Sequence, residues 1–172
     1  MQKHGFEMQR VFFSAPGDME AEREACTKAM AEVNESDAMS HKILLNTVMV
    51  REDGHIETAR AAISDNVRWA SYFVQVFSDD WGPRNLFRKL FQLAIECRDD
   101  ASKPMKDVVV FLKVPADEGD PAIVAFRKEL RETAGVTVRE YSGADELHAQ
   151  LCPVLSGWVQ VIRAELAGQL TE

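Results

Sequence analysis

The chain has 172 residues, 46% of them hydrophobic, which suits one domain with a self-sufficient core and excludes a disordered chain. A formal net charge of −8 repels nucleic acid and anionic lipid unless a basic patch overrides it, and Arg84, Arg88 and Lys89 are too diffuse to do so. No nucleic-acid partner is expected. The opening MQKHGFEMQR lacks the apolar core of a signal peptide, and no apolar run is long enough to span a bilayer, so a soluble, cytoplasmic protein with no membrane partner is expected.

One domain over residues 1–172 is expected, with a flexible N-terminus over residues 1–8. Strand and helix patterns alternate along it. The first strand, Arg10–Phe13, breaks at Ser14-Ala15-Pro16-Gly17-Asp18 and opens a helix in which Met19, Cys26, Met30 and Val33 form the apolar stripe and Glu22, Glu24 and Lys28 lie outside it. A second strand, Ile43–Val50, precedes a weaker helical pattern from about Glu57 to Trp69. The third strand, Tyr72–Phe77, leads through a Ser78–Asn85 loop into the cleanest amphipathic helix, with Phe87, Leu90, Phe91, Ala94 and Cys97 on one face. Val108–Val114 is apolar on both faces, as a central parallel strand should be. Pro121 suits the first turn of a fourth helix carrying Ile123, Phe126 and Leu130 inward. A fifth strand, Thr137–Tyr141, is followed by a C-terminal helix with Leu147, Leu151, Leu155, Trp158, Ile162 and Leu166 on one side. Pro153 and Gly157 predict a kink there, or two successive helices.

Five strands separated by helices predict a three-layer, flavodoxin-like α/β domain, its mostly parallel sheet in the order 2-1-3-4-5 with helices on both faces. Ligands of such sheets bind at the carboxyl edge beside the switch in strand order. The loops flanking that switch are Ser14–Asp18 and Ser78–Asn85, and they hold the candidate ligand-binding residues. Ser14 offers a hydroxyl, Pro16 and Gly17 shape the turn, and Asp18 either caps the helix or accepts from a ligand's hydroxyls. Asp18, Glu20 and Glu22 compete with a bound phosphate, so a sugar hydroxyl fits better than a pyrophosphate. Arg23 either pairs with Glu20 or turns inward to orient Asp18 or a ligand carboxylate. In Ser78-Asp79-Asp80-Trp81-Gly82-Pro83, Asp79 and Asp80 could take a ring's hydroxyls while Trp81 stacks on its face; the same residues also make an ordinary loop. Cys26, Cys97 and Cys152 are read as buried, reduced thiols, and the four histidines as scattered surface or loop residues. No metal site and no cofactor are expected.

The run Val11-Phe12-Phe13-Ser14-Ala15-Pro16-Gly17-Asp18 with Glu22-Arg23 resembles the opening of an uncharacterised bacterial family usually called TIR-like. Val76-Phe77 through Trp81-Gly82-Pro83, Pro104-Met105 before the fourth strand, and Tyr141 ending the fifth are similar to it as well. The wider clan includes TIR domains and nucleoside 2-deoxyribosyltransferases. Its enzymes break N-glycosidic bonds with a Glu near the start of the helix after the third core strand, a carboxylate that stabilises an oxocarbenium-like cation. Here residues 83–95 contain no Asp or Glu, and Glu96 lies well along the helix on its polar face.

The resemblance without that carboxylate implies a TIR-like recognition or signalling module that binds a nucleotide-derived ligand or a partner protein, with self-association as one form of partnership. The alternative is an N-glycosidic-bond-cleaving nucleotide or nucleoside hydrolase or transferase, with Asp79 or Asp80 as the carboxylate. A phosphoacceptor domain also needs a Lys at the end of its fifth strand, where this chain has Glu140-Tyr141-Ser142.

Overall fold

The computed structural model describes residues 5–15, 19–49, 63–78, 86–114 and 120–169. Strands β1 (Glu7–Ser14), β2 (Ile43–Met49), β3 (Tyr72–Phe77), β4 (Asp107–Lys113) and β5 (Thr137–Tyr141) form one sheet in the order β2-β1-β3-β4-β5. All four pairings are parallel. The expected order is correct, and the sheet is wholly rather than mostly parallel. Its order reverses between β1 and β3, where Ser14 is in register with Gln75.

Helices cover both faces. On one, α1 (Glu20–Val33) and α5 (Ala144–Gln169) pack over Val11, Phe13, Val74, Val76 and Phe111. On the other, a helical segment over residues 63–68 (α2), α3 (Leu86–Asp99) and α4 (Pro121–Glu132) cover Phe12, Phe73, Phe77, Val110 and Leu112. The period-2 alternation along each strand divides its apolar side chains between these two cores, so both faces must be covered. Asp120 caps α4 by accepting from the Ala122 N–H at 2.8 Å, and Pro121 follows it in the first turn as expected.

Several elements differ from the expected bounds or add to them. The N-terminal strand is longer than its apolar stretch suggests, because Glu7 and Met8 pair with Ile43 and Leu44 through the backbone; these two residues are not a loose terminus. After α1 the chain does not pass directly into β2. It winds through a wide turn of helix, Asn34–Ala38, and a tight one, Met39–His41, then turns at Lys42 with φ of 58°. The Asn34 amide bonds both the N–H and the carbonyl of Leu45 at 2.9 Å, giving edge strand β2 the partners another strand would supply. Finally, of the kink or two successive helices expected at Pro153 and Gly157, the second alternative is corrected: α5 is one helix of 26 residues that runs through Pro153. Burial of Leu147, Leu151, Leu155, Trp158, Val159 and Ile162 against the sheet outweighs the hydrogen bond that the proline lacks. Trp158 is thereby a core residue: it stacks on Tyr72 with ring centres 4.3 Å apart and donates from Nε1 to Asp107 at 2.8 Å.

No helix among the described residues is long and apolar enough to cross a membrane.

Candidate functional site at the carboxyl edge

The switch between β1 and β3 places two polar side chains where an apolar strand would be expected. Ser14 and Gln75 are both buried. Gln75 donates from Nε2 to the carbonyls of Ser14 and Val76, each at 3.1 Å. Among the described residues its Oε1 is buried without a hydrogen-bond partner, and so is the Ser14 Oγ. Buried polar atoms are nearly always paired, and leaving one unpaired costs about 1–3 kcal/mol. Two such atoms at paired positions, where open α/β sheets take their ligands, mark the strongest candidate site in the described chain.

Two arginines order the backbone around it. Arg23 is buried, in contact with the Glu20 carboxylate at 3.4 Å and donating to the Ala15 carbonyl at 3.1 Å. It pairs locally with Glu20, as one expectation had it, and it also turns inward to a main-chain carbonyl. Arg127, buried on α4, donates to the carbonyls of Ser78 at 3.2 Å and Lys113 at 2.6 Å, joining the ends of β3 and β4. Both guanidiniums serve carbonyls at strand ends, which suits positioning more than the capture of a phosphate.

The other face of the same edge holds a buried ionic group that sequence reasoning misses. Glu22 is 4% exposed rather than outside the stripe. Its Oε1 accepts from Lys113 Nζ at 2.9 Å and from the Tyr141 hydroxyl at 3.4 Å. Burial, then the Glu22 charge, pushes the Cys26 thiol up to about 12. Burial, then Glu22, also raises the Tyr141 phenol, and burial followed by Glu165 and Asp107 raises that of Tyr72. The folded chain holds all three groups neutral at a pH where the unfolded chain ionises them, from ordinary values of 9.0 and 10.0. Their contribution is therefore complete below about pH 9 and is lost as pH rises through the folded values. Melting temperature followed by circular dichroism is expected to fall steeply above that pH, and Tyr141→Phe is expected to shallow the fall.

Of the residues expected at the site, Ser14 and Arg23 are described and lie together at the end of β1. Pro16, Gly17, Asp18, Asp79, Asp80 and Trp81 lie outside the described residues. The N-cap position of α1 falls on Met19, with no side-chain cap. Helix α3 carries no acidic residue in its first turn, and Glu96 is exposed, as its place on the polar face implies. Gln75 could have been found in the sequence as the lone amide in an otherwise apolar strand.

A scan of protein-family models and a search of curated proteins return no match to this chain.

Proposed function

We propose that the chain is a TIR-like recognition module that binds a nucleotide-derived ligand between the ends of β1 and β3 and does not turn it over. The observation that carries this reading is the pair of buried, unpartnered atoms, Ser14 Oγ and Gln75 Oε1, at the switch in strand order. A hydroxyl and an amide oxygen suit a ribose hydroxyl or a base N–H, whereas neighbouring Arg23 and Arg127 already serve backbone carbonyls. A small ligand reaches buried atoms that the surface of a partner protein does not. The lack of a carboxylate in the first turn of α3 supports binding without glycosidic cleavage.

Equilibrium dialysis against NAD and a panel of nucleosides and nucleotides tests this, with chromatography of the same samples for released base. Retention of at least one nucleotide without base release is the expected result. Release that is lost in Asp79→Asn or Asp80→Asn would establish the glycosidase reading instead.

The unpartnered atoms also predict opposed effects on binding and stability. Ser14→Ala removes a hydroxyl that gains nothing from the fold, so thermal stability is expected to hold or rise by up to about 1 kcal/mol. Affinity for the retained nucleotide is expected to fall about tenfold, the effect of one lost hydrogen bond.

A further inference from the structure

Across the sheet from Ser14 and Gln75, three side chains meet on the seam between α1 and α5. Glu32 Oε2 lies 2.6 Å from His148 Nε2. Cys152 Sγ lies 3.8 Å from that same carboxylate oxygen and 3.7 Å from that same ring nitrogen. We propose that Glu32, His148 and Cys152 form a Zn²⁺ site with a fourth position open to water.

Three observations converge on this. The first is the donor set: one thiol, one imidazole and one carboxylate, all of which ligate zinc. The second is spacing. Zinc bonds of about 2.3 Å to sulfur and about 2.0–2.2 Å to nitrogen or oxygen, at tetrahedral angles, put sulfur about 3.6 Å from each of the other two donors. Both sulfur separations already stand near that value. Only the Glu32–His148 contact must widen, by somewhat less than about 1 Å, and exposed Glu32 has the freedom to do it. The third is convergence on a single nitrogen. A Cys-His-carboxylate relay needs the thiol on one ring nitrogen and the carboxylate on the other. Here both address Nε2, which is a chelating arrangement and not a relay.

The helices supply the rigidity. His148 and Cys152 are one turn apart on α5, and Glu32 projects from α1, which packs along it. A cleft of about 450 Å³, lined by His148, Asp145, Glu24 and Lys28, opens beside the ring and gives solvent a route to the fourth position. On binding, the S–H bond of Cys152 breaks, a zinc–sulfur bond forms, and the proton passes to the buffer.

The test uses the full chain after treatment with chelator. Titration with Co²⁺ is expected to give the visible bands of a four-coordinate ion, with a near-ultraviolet thiolate charge-transfer band, at one ion per chain. Zn²⁺ should displace it. Cys152→Ser should abolish the charge-transfer band. His148→Gln and Glu32→Gln should each weaken Zn²⁺ binding, measured against a chromophoric chelator, by at least about 100-fold, since even the loss of an outer partner costs about 10–100-fold. Glu32 is exposed and His148 and Cys152 are only partly buried, so circular dichroism should show each variant folded. Absence of the charge-transfer band in the parent chain, its persistence in Cys152→Ser, or Zn²⁺ affinity unchanged in either of the other variants would each overturn the site.

Discussion

Trp158→Ala is expected to lower folding stability by about 3–5 kcal/mol, whereas Trp158→Phe should lower it by about 1–2 kcal/mol. Trp158 is 5% exposed and joins α5 to the sheet in two ways. Its ring stacks on Tyr72, and its indole N–H donates to Asp107 at the start of β4. Alanine removes the stack, the hydrogen bond and a large buried area together, and a rigid helix and sheet close poorly over the resulting cavity. Phenylalanine keeps an aromatic ring against Tyr72 and gives up mainly the bond to Asp107. In a chain of this length each kcal/mol moves the melting temperature by about 2–4 °C, so the alanine variant should melt about 10 °C lower. Denaturant titration of the three proteins measures the series. Equal losses in the two variants would show that the hydrogen bond, and not the packed ring, holds α5 down.

The second large effect concerns the buried ion pair. Lys113→Met is expected to cost about 2–3 kcal/mol, because it leaves the Glu22 carboxylate buried with the Tyr141 hydroxyl alone. The figure lies below the range for fully buried pairs because Lys113 is itself 38% exposed and its charge is partly screened. Glu22→Leu should cost far less, since it removes the buried charge and leaves Lys113 with a route to water. The double variant should then recover most of the loss seen in Lys113→Met. A double-mutant cycle in denaturant reads this directly, with a favourable coupling of about 1–3 kcal/mol expected. Additive losses would show that Lys113 contributes nothing specific to Glu22.

The sheet order and the allotment of helices were legible because the strands are short, apolar and regularly spaced. Where the sequence misled, a competing interaction decided. Glu22 lies three residues after Met19 and four before Cys26, so its spacing belongs to the apolar stripe. Its charge alone argued for the outside, and Lys113 at the end of β4 reverses that argument. Pro153 argued for a break in α5, but local propensity yields to a face of core residues on both sides of it. The Asn34–His41 turns carry no apolar period, and what fixes them is a side-chain amide reaching β2.

The candidate site was legible in part. Ser14 and Arg23 were found from the Ser-Ala-Pro-Gly-Asp turn, which any strand-to-helix junction on a sheet edge makes suspect. Gln75 stands out in the sequence as the lone amide of an apolar strand, whereas Glu22, Lys113, Tyr141 and Arg127 come from separate elements and reach this edge only through the strand order. The same holds on the seam of α1 and α5: the one-turn spacing of His148 and Cys152 stands in the sequence, but Glu32 joins them only when two helices far apart in the chain pack together.

The central claim is that the buried Ser14 and Gln75 side chains, at the ends of β1 and β3, recognise a nucleotide-derived ligand. Its most direct test is nuclear magnetic resonance of the Gln75 side-chain amide, assigned with Gln75→Glu, during titration with the nucleotide that the dialysis panel retains. The account predicts that this amide and the Ser14 backbone shift in a saturable manner, with the same affinity as bulk binding, and that Ser14→Ala weakens both. Saturable binding that leaves the Gln75 amide unmoved would place the ligand elsewhere and contradict the claim.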